Sequence, residues 1–315
     1  MASRSARRRS VPSKSAGKRR PVPEPLLTGP VGLRHPGRTG ISELWRSGQA
    51  LATANARLIL LRTAYLTIAS GEFELDDGPV HRWAIATNLG QGARVGTHLP
   101  PGGMPGESAR LMAAVTRRRA AAVAALEDGE TSVRTLGLAA ESAVVTGTGA
   151  GGVRDVGIEL HGTYGWPILP GSTLKGVTRE WARQLGFPAA RISEIFGSAP
   201  KADEQIPGGV AFFDALPWRY GVEVTSQVLT PHTRGYRSAA GDGPEPPGEH
   251  INPVPIPFLG VERGWFVTHL AGPRELVDEA ADLLADAVGE LGVGAKTASG
   301  YGYFTARPVN SEEEL

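Results

Sequence analysis

The clearest alternation of apolar and polar positions lies near the C-terminus. Between Pro273 and Leu291, apolar residues recur every three or four positions, which predicts a long amphipathic helix. The residues on its apolar stripe are Leu276, Val277, Ala280, Leu284, Ala287, Val288 and Leu291. A stripe this wide indicates a helix that packs against a sheet or another helix.

Three further segments show the same helical period. The first is Ile41–Thr67, whose predicted apolar face comprises Leu51, Ala54, Leu58, Leu61 and Tyr65. The second begins at Ser108 as the N-cap and ends near Leu126, with Leu111, Val115, Ala122 and Leu126 directed inward. The third is Ser172–Gly186, again with serine as the N-cap, and its apolar face comprises Leu174, Val177, Trp181 and Leu185.

From Val133 onward, strand-like segments alternate with these helices. The predicted strands are "VRTLGLAAESAVVTG", "GGVAFFDALPW", "GVEVTSQVLT", "IPFLGVERGWFVTHL" and "YGYFTARPV". The order strand, helix, strands, helix, strand predicts an α+β, ferredoxin-like fold with two helices on one face of an antiparallel sheet. The open face of the sheet and the loops are then the expected working surfaces.

Composition divides the chain into three predicted parts. Residues 1–36 are basic and proline-rich, and they contain no acid before Glu24, so we expect a disordered tail. That tail is either a nonspecific nucleic-acid arm or a solvated extension. Residues 37–132 form a helical N-terminal region with a flexible loop at 70–107, where glycine and proline are frequent. Residues 133–315 form the ferredoxin-like core.

The residue content excludes several classes of chemistry. The 315 residues contain no cysteine, which removes disulfides, cysteine-ligated zinc and thiol catalysis. The seven histidines show no metal-ligand spacing, and no cofactor motif is present. No apolar run approaches the roughly 20 residues of a membrane span, and no secretory signal begins the chain, so we expect a cytoplasmic protein.

The segment "LPGSTLKGVTREW" is the first candidate binding site. The amides at the start of its helix, together with the hydroxyl groups of Ser172 and Thr173, suit an anion. Lys175 and Arg179 are four residues apart, so they share one face beside that helix end. The pattern suits a phosphodiester, and the alternative is a capped helix with two solvated cations. A nucleophile is not indicated, because no G-x-S-x-G turn surrounds the hydroxyls.

The loop "GVGAKTASGYGYF" is the second candidate. Its four glycines allow close approach of the backbone to a ligand, and they are Gly292, Gly294, Gly300 and Gly302. Lys296 supplies a cation and Thr297 a hydroxyl group, and Tyr301 can stack on a base. Ala295 stands where a phosphate-binding P-loop needs glycine, so nucleotide hydrolysis is not predicted.

Four other features have both a functional and a structural interpretation. His161 and His232 are candidates for a general base in RNA cleavage, or for structural or phosphate-contacting histidines. Arg117, Arg118 and Arg119 form either a solvated face or a phosphate-contacting patch. Asp214 could act as a lone acid, but we expect it to end a strand and cap the turn.

Taken in order, these segments resemble the RAMP superfamily, the repeat-associated proteins of CRISPR systems. The segments "LHGTYGWPILPGSTLKGVTREW", "IFG", "GGVAFFDALP", "LTPHTRGY", "PVPIPFLGVERG" and the final glycine-rich loop are similar to those of its sixth-subunit family in type III-B effectors. The resemblance covers roughly residues 133–309, and the N-terminal 132 residues match no motif of the family.

The resemblance implies an RRM-related, ferredoxin-like fold and a non-catalytic subunit that binds guide RNA near its 3′ end. Expected partners are the guide RNA, its target RNA and other RAMP subunits. By motif position, the implied RNA-binding residues are Ser172, Thr173, Lys175, Arg179, the loop residues named above, and His232, Arg234 and Tyr236. The alternative hypothesis is a metal-independent RNA-processing nuclease that uses His161 or His232.

Overall fold

The structure is a computed structural model, and it describes residues 25–27, 55–69, 72–75, 107–149, 158–198, 206–230 and 255–310. Its helices are α1 (Ala56–Arg62), α2 (Glu107–Ala124), α3 (Gly171–Gln184), α4 (Ala189–Phe196) and α5 (Arg274–Glu290). Its strands are β1 (Pro25–Leu27), β2 (Thr63–Ala69), β3 (Glu72–Leu75), β4 (Ser132–Ala140), β5 (Ala211–Phe212), β6 (Leu216–Leu229), β7 (Ile256–Gly272) and β8 (Phe304–Pro308).

The main sheet has the strand order β5-β7-β4-β8, and β6 also pairs with β7. All its pairings are antiparallel, with Leu138 of β4 opposite Phe266 of β7 on one side and Ala306 of β8 on the other. Strand β4, the first strand of the main sheet in the sequence, therefore lies between β7 and β8, the last strand. A ferredoxin-like fold requires this central position for its first strand. This topology confirms the predicted α+β class.

One face of the sheet packs against the helices and forms the main core. Helix α5 buries Leu276, Val277, Ala280, Leu284, Ala287 and Val288, which confirms all but the last residue of the predicted stripe, since Leu291 is only partly buried. Leu138, Phe266, Leu270 and Phe304 meet that stripe from the sheet, and each is at most 1% exposed. Burying a side chain of this size stabilises the fold by about 1.5–3 kcal/mol.

Helix α2 packs near the beginning of β6 and forms a second, smaller core. Met112 and Val115 contact Trp166, Ile168 and Leu216 there. The buried face predicted for this helix is rotated by about one residue from the observed one. Val115 is buried as predicted, but Leu111, Ala122 and Leu126 are exposed. The tertiary contacts of α2 select Met112, Thr116 and Val123 instead, because alanines lie on several faces of this helix and leave no single face clearly apolar.

The helix predicted over Ile41–Thr67 is confirmed at Ala56–Arg62 and wrong from Thr63 onward. Helix α1 ends at Arg62, and Thr63–Ala69 forms strand β2, so Tyr65 lies in a strand. Within α1, Ala56 and Leu60 join the main core, whereas Leu58 and Leu61 are exposed. The run "TAYLTIA" is rich in β-branched residues, and pairing with β1 and β3 outweighs its weak helical period. Ile41 to Ala54 lie outside the described residues.

The N-terminal region thus contains strands as well as helices. Strands β1, β2 and β3 form a separate three-stranded sheet, and β3 falls within the segment predicted as a flexible loop at 70–107. Strand β1 lies within residues 1–36, so the prediction of a disordered tail is wrong at Pro25–Leu27. The rest of that tail and most of the loop lie outside the described residues. The proposed division into three parts stays a prediction.

Two details of the core also differ from the sequence prediction. The segment "GGVAFFDALPW" contains only the two-residue strand β5 and the start of β6, so the predicted pair of strands is one short strand and one long one. Helix α4 was not predicted, because it is only 8 residues long. The strand predicted over residues 133–147 ends at Ala140, and only an isolated bridge from Val144 to Val261 follows it. The last predicted strand is shorter than expected, since β8 begins at Phe304, whereas β7, with 17 residues, matches its prediction closely.

Candidate functional site

The start of helix α3 is capped by a residue distant in the sequence. Pro170 occupies the N-cap position without a side-chain hydrogen bond, so the prediction that Ser172 is the N-cap is wrong. Instead, the amide of the buried Gly171 donates to Oδ1 of Asp214 at 2.7 Å. The prediction that Asp214 has a capping role is correct, but the group that it caps is the first amide of a helix.

This cap changes what the helix end can bind. The amides of Thr173 and Leu174 both donate to the carbonyl of Pro170, at 2.9 and 3.1 Å. With the Gly171 amide held by a carboxylate, the helix start already carries an anion. Two of the amides expected to cradle a phosphate, those of Thr173 and Leu174, are therefore occupied by the protein's own acceptors.

The two cations of α3 form the more open part of this site. Lys175 and Arg179 are both partly buried, and the pKa of Lys175 is lowered, first by burial and then by the charge of Arg179. Among the described residues, neither side chain forms an ion pair with a carboxylate. Further along the same helix, in contrast, Arg183 pairs with Glu180 at 3.6 Å.

The glycine-rich loop is held by its own backbone and by the segment that follows β4. The amide of Val293 donates to the carbonyl of Gly302, and the amide of Gly302 donates to Ala143 at 2.8 Å. A Cβ at Gly302 would lie 2.2 Å from the carbonyl oxygen of Val293, and one at Gly294 would lie 2.3 Å from that of Val145. Glycine is thus required at these two positions because the loop backbone lies close to other backbone atoms of the protein, not to a ligand.

The polar side chains of the loop take defined positions around a short 3₁₀ turn at Thr297–Ser299. Lys296 precedes this turn with a φ of +64°, and its Nζ lies 5.9 Å from the centroid of the buried Phe258 ring. The hydroxyl of Tyr301 donates to the side chain of Gln227 at 3.3 Å, so this ring is tied to strand β6. Gly300 alone among the four loop glycines has open space where a Cβ would stand.

The structure brings the predicted residues together in two groups. Lys175 and Arg179 adjoin on α3 with Ser172 exposed beside them, and the loop residues cluster around the 3₁₀ turn. In the part of the chain that the structure describes, no hydrogen bond or ion pair links one group to the other. His232, Arg234 and Tyr236 lie outside the described residues.

The geometry of His161 does not suit a general base. Its Nδ1 accepts hydrogen bonds from the amides of Thr163 and Tyr164, at 3.1 and 3.3 Å, which places the ring proton on Nε2. Burial lowers its pKa, with nearby Arg119 and Arg57 acting in the same direction and Asp214 opposing them. The ring also stacks on Tyr164 at 4.7 Å. These contacts favour the structural interpretation of this residue.

The arginine cluster on α2 is largely part of the fold. Arg118 donates to the hydroxyl of Tyr164 at 2.9 Å, and Arg119 donates to the carbonyl of Asp214. Arg119 also lies 6.0 Å from the Phe213 ring, and burial lowers its pKa. Arg117 and Arg118 are both exposed, as the predicted solvated face requires, and only Arg119 is partly buried.

Sequence reasoning missed a cluster on the sheet face opposite α3 and α5. Trp218, Trp265 and Arg307 come from three different strands, and the guanidinium of Arg307 lies 5.6 and 5.1 Å from the two indole rings. The available signal was the alternation along each strand, which assigns these residues to the face away from the core. No single segment contains two of them close together.

Within the described ranges, no three His, Asp or Glu side chains are grouped so that they could hold a metal ion. Nor does any helix in those ranges have the length and apolar character needed to cross a membrane.

Comparison with known proteins identifies one family over this region. The model of the RAMP superfamily matches residues 138–305, which is more than half of the chain. The CRISPR system Cmr subunit Cmr6 of Pyrococcus furiosus is 29% identical over 219 residues, covering 51% of this chain. The chain matches 64% of the length of that relative, which is less than two thirds.

Solved structures show similarity of the same kind. A chain of the type III-B Cmr-beta complex bound to cognate target RNA is 21% identical, with a TM-score of 0.49 over 65% of this chain and 66% of that chain. The crystal structure of Cmr6 from Pyrococcus furiosus is 25% identical, with a TM-score of 0.36 over 56% of this chain and 99% of that chain.

Proposed function

Because the chain belongs to the RAMP superfamily, we propose that it is a non-catalytic RNA-binding subunit of a type III-B CRISPR effector. In this role it helps to assemble the ribonucleoprotein near the 3′ end of the guide RNA, in the cytoplasm, for RNA-guided antiviral defence. Its partners are the guide RNA, the target RNA and other RAMP subunits, and RNA cleavage is carried out by other subunits.

The observation that carries RNA binding is the pair of cations on α3. Lys175 and Arg179 lie next to each other and are partly buried, and no carboxylate among the described residues neutralises them. Two adjacent positive charges raise the energy of the free protein, and a polyanion relieves that repulsion. A subunit that follows any guide sequence needs such contacts to phosphate rather than to base edges.

The experiment replaces Lys175 and Arg179 with alanine and measures guide-RNA affinity of the assembled complex at several salt concentrations. For single-stranded RNA, the slope of log K against log salt should become shallower by about 0.7 for each phosphate that the variant no longer neutralises. Arg183→Ala on the same helix is the control, because this arginine already pairs with Glu180. An unchanged affinity and slope in the double variant would refute the proposed interaction with phosphate.

The absence of catalysis is tested separately. Repeat-containing RNA incubated with the purified protein in chelator should stay intact, because the Nδ1 of His161 is already occupied by two amides. Discrete cleavage that is abolished by His161→Ala or His232→Ala would instead support the nuclease hypothesis.

A further inference from the structure

The sheet face opposite α3 and α5 carries a layer of aromatic and cationic side chains. Successive side chains of a strand point to opposite faces of the sheet, and the pairing register puts Gly137 of β4, Trp265 of β7 and Arg307 of β8 on this face. Trp218 of β6 lies on the same face. Helix α2 covers another part of the same face through Met112 and Val115. The face is thus divided into a part under α2 and a part formed by these four residues.

The layer has a defined geometry. Trp218 is fully buried and meets Trp265 edge to face, with ring centroids 6.2 Å apart. A Cβ at Gly137 would lie 2.4 Å from the indole of Trp218, so the glycine allows this ring to lie against the strand. Arg307 lies over both indoles, and both Trp265 and Arg307 remain partly exposed. The exposed surface of the layer therefore comes from parts of two side chains, Trp265 and Arg307.

Arg307, like Arg179, lacks a carboxylate partner among the described residues, whereas three other arginines of the core have one. Arg134 pairs with Asp278, Arg191 with three glutamates and Arg263 with Glu223. The Nε and Nη2 atoms of Arg307 are buried without a hydrogen-bond partner and face the indole rings instead. Those two nitrogens are covered by the fold, so only the partly exposed remainder of the Arg307 side chain can offer its positive charge to an anionic ligand.

This layer is continuous with the glycine-rich loop. The loop leads directly into β8, and the hydroxyl of Tyr303 donates to the carbonyl of Thr297 within the 3₁₀ turn. Thr305 lies between Tyr303 and Arg307 on the same side of β8 and donates to Glu141. A strand of nucleic acid that contacts Lys296 in the loop would reach the layer along β8.

We propose that a nucleobase of single-stranded RNA stacks on the layer formed by Trp265 and Arg307, with a phosphate of the same strand near the guanidinium. This inference rests on the proposed function and assigns a second RNA-binding surface to it. Indole and guanidinium planes stack on any base, so the interaction tolerates any guide sequence. Trp218 and Gly137 support the layer from below.

The test compares variants of the full-length chain for binding to oligo-uridine and oligo-adenine RNA across a range of salt concentrations. Trp265→Ala should weaken binding roughly tenfold with an unchanged salt slope, because stacking releases no counterions, and Trp265→Phe should retain most of the affinity. Arg307→Ala should weaken binding and also make the slope shallower by about 0.7. Trp181→Ala is the matched control, since it removes a partly buried indole from the helical side.

A second measurement does not depend on the stability of the variants. RNA that contains 5-bromouridine should form a photochemical cross-link to Trp265 of the wild-type protein, located by mass spectrometry. If the cross-link is absent and the Trp265 and Arg307 variants bind like wild type, while the Lys175 and Arg179 variant is weakened, the layer is only structural and the proposed function stands. If wild-type protein binds neither RNA, alone or in the assembled complex, both proposals are wrong.

Discussion

The two regions that the sequence marks for RNA binding, the start of α3 and the glycine-rich loop, are built in opposite ways. At the start of α3 the backbone is satisfied by Pro170 and Asp214, and the side chains Lys175 and Arg179 have no carboxylate partner among the described residues. In the loop, the glycines meet the protein's own backbone, and the side chains are largely engaged with Phe258 and Gln227. A conspicuous glycine motif can thus be required for folding, while cations elsewhere in the chain are left without a carboxylate partner among the described residues.

The largest effect should come from the loop backbone. Gly302→Ala places a methyl group 2.2 Å from the carbonyl of Val293 at a φ of +83°, so we expect a loss of about 3 kcal/mol in the free energy of unfolding. Gly300→Ala is the control, because its φ is also positive but its surroundings are open, and it should cost only about 1 kcal/mol. Urea denaturation of both variants measures the difference. Equal losses would show that the loop is not held by this backbone packing.

A smaller effect should follow removal of the helix cap. Asp214→Ala leaves the buried amide of Gly171 without its acceptor and should lower the free energy of unfolding by about 2 kcal/mol. Asp214→Asn keeps an acceptor oxygen and should lose less. Ser172→Ala should have almost no effect on thermal unfolding, because this hydroxyl does not cap the helix. A large loss at Ser172 would restore the simple capping interpretation.

Replacement of Lys296 should have a small effect on stability, and in the opposite direction. Lys296→Gly relieves a left-handed conformation at φ +64° and should change the free energy of unfolding by less than about 1 kcal/mol, in the stabilising direction. The same variant should weaken RNA binding in the assembled complex and make its salt slope shallower, if this cation contacts phosphate. Improved stability together with unchanged RNA binding would assign Lys296 to the fold rather than to the interface.

Much of the architecture could be predicted because it depends on local period. The stripe of α5 repeats every three or four residues, and β7 contains two segments of strong strand propensity, "IPFLGV" and "WFVTHL", so both elements were placed nearly to the residue. Helix α1 and strand β2 could not be separated, because "LILLRTAYLTIA" satisfies either period and only pairing with β1 and β3 decides between them. The buried face of α2 was misplaced for a similar reason, since alanine-rich helices offer several nearly equivalent faces.

The order of residues along the chain was enough to indicate which side chains could bind RNA, because it placed Lys175 and Arg179 on one helical face. It also determined the glycine spacing of the loop. Three features needed the folded chain: Asp214 at the helix start, the loop glycines in backbone packing, and the meeting of Trp218, Trp265 and Arg307 across three strands. The physical reason is distance along the chain. Period and propensity act over a few residues, whereas these contacts join segments that come together only when the sheet forms.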